Sequence, residues 1–192
     1  MLVVAVNGSP NRDGNCAYLI NYIENALVEK GIDFKLINAA DVLKTSKTPF
    51  CVVCSNPCNC SCFKGTDLGT SYDLLTSADF IIAASPVYFG TISAQLKAFF
   101  DKTRDLRGKK LLVNKYGSAI TVGASRFGGQ ETTVRAIHDI FLVHGMNVVG
   151  DGGFEFGAGH NGVCAARPAS EDSFALERAN ALIERITLLN KG

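Results

Sequence analysis

The strongest constraint on the fold is a texture that repeats along the chain: a short β-branched apolar run, a Gly- or Ser-rich turn, then a segment with apolar residues at helical spacing. Strands that are apolar on both faces need cover on both sides, and this repeat supplies it as a parallel sheet between helical layers. Leu2–Val6 is the first such run. Tyr18, Leu19, Tyr22, Ile23, Ala26 and Leu27 follow at three- and four-residue steps before Gly31, a residue suited to end a helix. Further strands are predicted at Phe34–Ile37, Phe80–Ala84, Ser118–Val122 and Met146–Val149, with helices over about 92–104, 130–144 and 172–190. No Pro/Ser-rich linker or internal repeat divides the 192 residues, so one three-layer α/β domain over 1–192 is expected, its five parallel strands in the order 2-1-3-4-5. Ligands of such sheets bind outside the carboxyl ends of the strands, at the switch point between the first and third. The loops there, 8–16, 85–91 and 123–130, are rich in Gly, Ser, Asn and Pro.

A formal net charge of +1, with no long run of either sign, gives no electrostatic case for nucleic acid or an anionic membrane and favours a small-molecule partner. The N-terminal apolar run stops at Asn7-Gly8, and no stretch reaches the ~18 apolar residues of a membrane span. The expected compartment is therefore the cytoplasm.

Five of the seven cysteines fall within twelve residues, Cys51-x2-Cys54-x3-Cys58-x-Cys60-x-Cys62, in an insertion at about 48–66 between the second and third strands. Disulfide pairing would leave one of the five unpaired, in a chain too large to need stapling. Thiolate ligands favour zinc or an iron–sulfur cluster. Zinc sites more often use two separated C-x2-C knuckles, and the compact run here lies nearer to those that wrap a cubane. Zinc and a reactive thiol loop stay open beside that reading. His138 and His144 lie six apart on a predicted helix and His160 in a Gly-rich loop, so the histidines form no metal set. Cys164, outside the run, reads as a structural thiol.

The first loop, Asn7-Gly-Ser-Pro-Asn-Arg-Asp-Gly-Asn-Cys16, lacks both the Walker lysine and the G-x-G-x-x-G pattern of dinucleotide sites. Its small residues still let backbone N–H groups converge on an anion at a helix N-terminus, although an ordinary strand-to-helix turn has the same composition. The second loop, Ala84-Ser-Pro-Val-Tyr-Phe-Gly-Thr-Ile-Ser-Ala-Gln-Leu-Lys-Ala-Phe-Phe-Asp101, together with Gly8-Ser-Pro10, Asn15 and Gly128-Gly-Gln-Glu-Thr-Thr133, resembles the flavodoxin-like NADPH-dependent FMN reductase superfamily. Within it, the cysteine insertion resembles that of the iron–sulfur flavoproteins.

The resemblance implies a flavodoxin-like sandwich binding FMN. Ser9, Pro10, Arg12, Asn15 and the N–H groups around Cys16 and Ala17 would take the phosphate, Pro86, Val87, Tyr88, Phe89 and Gly90 would border the ring, and Gly123, Ser125 and Gly128 would complete its polar edge. Two readings by composition compete locally: Arg12 and Arg126 as solvated charges, and Phe89 as a core or dimer contact. Cys16 departs from the Ser or Thr hydroxyl expected at its position and is a poorer hydrogen-bond partner. The cysteine pattern departs too, since Pro57 stands where the family places its third cysteine and Cys58 is displaced by one.

Cys51, Cys54, Cys58 and Cys62 are the expected ligands of a [4Fe–4S] cluster, because using Cys60 after Cys58 would require a tighter bend. The implied activity is redox: FMN exchanging electrons with the cluster, ferredoxin or NAD(P)H as donor, and dioxygen, peroxide or a quinone as small-molecule acceptor. The alternatives are an NAD(P)H-dependent FMN or quinone reductase without a cluster, and a thiol or metal sensor. The resemblance implies a homodimer or homotetramer, the states that related flavoproteins form; the sequence itself adds only Val52, Val53 and Phe63, apolar residues in a loop that would otherwise expose them.

Overall fold

In the computed structural model, which describes residues 1–191, six strands and seven helices alternate along the chain; Gly192, the last residue of the expected domain, lies outside the described residues. The strands are β1 (Leu2–Asn7), β2 (Asp33–Asn38), β3 (Phe80–Pro86), β4 (Tyr116–Gly123), β5 (Asn147–Val148) and β6 (Val163–Ala166). The helices are α1 (Asn15–Glu29), α2 (Ala39–Lys44), α3 (Asp67–Ser77), α4 (Ala94–Asp101), α5 (Arg104–Gly108), α6 (Gln130–Val143) and α7 (Ser173–Leu189). The sheet is parallel and runs β2-β1-β3-β4-β5, as the sequence predicts.

The period of two along β1 explains the layering. Val3 and Ala5 pack with Leu19, Ile23 and Leu27 of α1 and Ala179, Leu182 and Ile186 of α7, while Val4 and Val6 pack with residues of α3, α4 and α6 on the other face. Each buried aliphatic side chain of this kind contributes about 1.5–3 kcal/mol relative to exposure.

Three departures have local causes. The fifth strand position is shared: β5 pairs with the start of β4 (Tyr116↔Asn147), and β6 pairs with its end (Gly123↔Ala166). The intervening Gly-rich segment folds back so closely that a Cβ on Gly150 would lie 2.5 Å from the His160 carbonyl, and no strand continues through it. It is held by buried Arg178, which donates to Asp151 Oδ2 at 2.8 Å and to the Phe156 carbonyl at 3.0 Å. The helix expected over 92–104 ends at Asp101 and resumes as α5, with the Thr103 hydroxyl donating to the Phe100 carbonyl at the break. The segment between β2 and β3 carries α2 and α3, for which no helix was expected.

Candidate functional site

The parallel register brings the loops after β1, β3 and β4 to one rim, with Asn7 beside Ala84 and Pro86 beside Val122. Backbone bonds tie the loops together: Gly8 N donates to the Ala84 carbonyl (2.8 Å) and Val87 N to the Val122 carbonyl (2.9 Å). The buried Ser93 hydroxyl donates to the Gly8 carbonyl at 2.6 Å while accepting from Leu96 N as the cap of α4. Gly8 has no room for a side chain, since a Cβ there would lie 2.6 Å from the Leu96 Cβ. A Cβ on Gly129, at φ +98, would lie 3.0 Å from the Gly90 Cα, so the second and third loops touch.

Side chains in the first loop stiffen it in steps of two residues. Asn7 Oδ1 accepts from Ser9 N, Ser9 Oγ from Asn11 N, and Asn11 Oδ1 from Asp13 N. This leaves the N–H groups of Arg12, Gly14, Asn15, Cys16 and Ala17 without a protein acceptor among the described residues. The N-cap Gly14 supplies no side-chain bond, and α1 has no acidic residue in its first turn. A fifteen-residue helix thus presents an uncapped, positively polarised end at the switch point, which suits an anion.

The side chains expected to help there are engaged elsewhere. Arg12 pairs with Asp41 at 2.6 Å, and each raises the other's preference for its charged form, lowering the Asp41 pKa. Asn15 Oδ1 accepts from Ala169 N at 2.8 Å, anchoring the loop before α7. Cys16 is 2% exposed and sits in the core, where burial pushes its thiol up to about 12. Only the backbone of residue 16 faces the anion site, so the missing hydroxyl costs no side-chain contact.

The second loop closes as a two-residue hairpin: Tyr88 N donates to the Thr91 carbonyl, Thr91 N returns the bond, and Phe89 and Gly90 have φ +49 and +76. Positive φ at both central residues is the type I′ pattern, which strains a phenylalanine. Phe89 is nevertheless 109% exposed, and Phe127 in the third loop, φ +58, is 103% exposed. Phe127 was not singled out from the sequence. Nor was Gln130, whose buried amide donates to the Ser125 (2.6 Å) and Ala165 (3.2 Å) carbonyls and fixes the third loop around Gly123. A phenylalanine or a glutamine next to glycines carries no sequence signal of either role.

The cysteine loop lies against α5, where Arg104 donates to the Ser55 carbonyl at 3.0 Å. All its thiols are free, and among the described residues no three His, Cys, Asp or Glu side chains are gathered closely enough to hold a metal ion. Tyr72, donating to the Phe99 carbonyl at 2.6 Å, has its pKa raised first by burial and then by the charges of Cys62, Cys51 and Cys58. Cys54 is exposed, its Sγ 3.9 Å from the Ser61 hydroxyl. Cys60 adopts φ +62, and partial burial, then Asp105, push its thiol up to about 11. In kind and number these soft donors fit a thiolate-held centre around which the loop closes. Val52 and Val53 are exposed, whereas Phe63 is buried edge-on against Tyr72 (centroids 4.9 Å), so it is core and leaves the exposed set expected from the sequence.

Known proteins are similar to this one along most of the chain. Residues 1–161 match the model of the NADPH-dependent FMN reductase family. An iron–sulfur flavoprotein of Methanocaldococcus jannaschii is 40% identical over 97% of this chain and 95% of its own, and one of Methanosarcina thermophila is 35% identical over 100% and 98%. Among solved structures, an NADH:FMN oxidoreductase in its apo form superposes with a TM-score of 0.71 at 17% identity, covering 97% of this chain and 88% of that one, a likeness of fold. The chain is a flavoprotein oxidoreductase and belongs to the NADPH-dependent FMN reductase family, among its iron–sulfur flavoproteins.

Proposed function

We propose that this protein passes electrons between FMN and a [4Fe–4S] cluster held by its cysteine loop. The donor set carries the cluster half of this reading: five thiols within twelve residues, all of them free, form a run compact enough to wrap a cubane. FMN supplies one- or two-electron exchange when bound, and the cluster supplies single-electron exchange.

The chain's own work is placement. The free N–H groups of residues 12 and 14–17 take the phosphate without a lysine or arginine. Pro86 to Gly90 border the ring, and Gly123, Ser125 and Gly128 leave its polar edge open to backbone contacts. Cys51, Cys54, Cys58 and Cys62 are the ligands, with Cys60 left as a thiol beside Asp105. NAD(P)H or ferredoxin supplies electrons, and a small molecule such as dioxygen, peroxide or a quinone accepts them.

The test is a serine scan of the loop with iron, acid-labile sulfide and flavin measured after anaerobic purification. Cys51→Ser, Cys54→Ser, Cys58→Ser and Cys62→Ser are each expected to lose most of the iron and sulfide yet keep FMN, while Cys60→Ser keeps all three. Iron and sulfide retained in every variant would remove the loop as the cluster site. Flavin alone in the unaltered protein points to a cluster-free reductase, and zinc without flavin to a sensor.

A further inference from the structure

Lys102, at the end of α4, is 2% exposed and ranks among the largest side chains fully closed off from water. Lysine is almost never buried to this degree without a counter-charge, because losing hydration of the ammonium is costly. No carboxylate comes within ion-pair distance of it among the described residues, and the neighbouring Asp101 is engaged by Lys97. Its single hydrogen-bond partner is the Thr48 hydroxyl at 3.5 Å, a long contact for a group with three donors. That hydroxyl in turn donates to the Phe50 carbonyl at 3.0 Å, the peptide that leads into Cys51. Three residues earlier, the Phe99 carbonyl of α4 accepts from the Tyr72 hydroxyl of α3 at 2.6 Å. A dissolved anion cannot reach an ammonium closed off in this way. The segment it touches, Thr48 to Phe50, leads directly into Cys51, and a cluster held by the thiolates of that loop would supply the negative charge that the ammonium lacks.

We infer that Lys102 is a positioning residue for the thiolate-held centre: its buried charge offsets the negative charge of the ligated cluster and favours the reduced, more negative state. The inference rests on the cluster reading above. Cluster potentials follow net charge, hydrogen bonding and burial, and a fixed cation at the start of the loop raises the potential without touching a metal ligand.

The experiment is a redox titration of the purified holoprotein, following the cluster by electron paramagnetic resonance and the flavin by absorbance. Lys102→Met keeps the length of the side chain and removes its charge. The reduced-to-oxidised ratio of its cluster at a given potential is expected to fall at least tenfold, a downward shift of ~59 mV for one electron. The flavin midpoint stays where it was, and Lys102→Arg restores the cluster value. A cluster midpoint in Lys102→Met within about twofold of the unaltered protein, on that same scale, overturns the role. If Lys102→Met loses the cluster while Lys102→Arg keeps it, the charge is needed and the inference stands; loss in both makes Lys102 a packing residue and overturns it. Absence of iron and sulfide from the unaltered protein removes the cluster itself, an outcome distinct from an unmoved midpoint.

Discussion

The thiol of Cys16 illustrates how one residue's surroundings decide its chemistry. Its sulfur is packed under α1, and its pKa stands at about 12 against an ordinary 9.0 because burial disfavours the thiolate. The linkage follows: folding holds the proton, the unfolded chain releases it above about pH 9, and the stability due to the neutral thiol is lost as pH rises from 9 towards 12. Each unit in that window costs roughly 1 kcal/mol for a single group. Cys16→Ala removes the titration at the price of a small cavity. Chemical unfolding from pH 8 to 11 is therefore expected to show a shallower decline for Cys16→Ala than for the unaltered protein, although the variant starts lower. Parallel declines would mean that the thiol does not titrate on unfolding. In the iron-free protein at neutral pH, iodoacetamide should label the exposed Cys54 and leave Cys16 unmodified, as read by peptide mass spectrometry.

At the scale of elements, the N-terminus of α1 is where fold and function meet, and it separates the two effects of one substitution. Asn15→Asp keeps the oxygen that accepts from Ala169 N and adds a negative charge in the first turn of a helix that has none. The helix dipole favours that charge by about 0.3–1 kcal/mol, so the flavin-free protein is expected to melt no lower than the unaltered one. The same charge repels a phosphate at the free N–H groups, and FMN affinity is expected to fall about tenfold or more, equivalent to ~1.4 kcal/mol. Unchanged affinity, measured by flavin fluorescence quenching, would place the phosphate elsewhere. The loop's position was legible in the sequence because a buried β-branched run ends abruptly at Asn7-Gly8, and the order of the strands followed from the strand-turn-helix repeat. The engagements of Arg12, Asn15 and Cys16 were not legible, since their partners Asp41, Ala169 and the α1 core become neighbours only through folding. α3 was missed for a different reason. Its buried face is Leu68, Ser71, Tyr72 and Leu75, a weak apolar stripe interrupted by Gly69, whose lack of a side chain lets the Phe63 carbonyl approach. The fifth strand position was half visible because β6 is only Val-Cys-Ala-Ala, too short to stand out.

At the scale of the whole molecule, the loops that carry the chemistry also expose apolar groups: Tyr88 and Phe89 after β3, Phe127 after β4, and Val52 and Val53 among the cysteines. Apolar tips turned to water, three of them (Val53, Phe89 and Phe127) at positive φ, suit contact with a second subunit. We propose that the protein self-associates through them, so that a cysteine loop of one subunit approaches the flavin rim of another. Phe89→Asn tests this at one position with two readouts of opposite sign. Asn-Gly is the preferred pair for a type I′ turn, and relief of φ +49 at a phenylalanine is expected to raise the stability of the isolated subunit by about 1 kcal/mol. Loss of the exposed ring is expected to weaken self-association at least tenfold, seen as a shift towards monomer in sedimentation equilibrium at micromolar concentration. A purely structural role for Phe89 in its own turn predicts a fall in subunit stability with no change in assembly. An unaltered protein that sediments as a monomer with full flavin and cluster occupancy would show that one chain suffices for both cofactors, and the shared-rim arrangement would then be wrong.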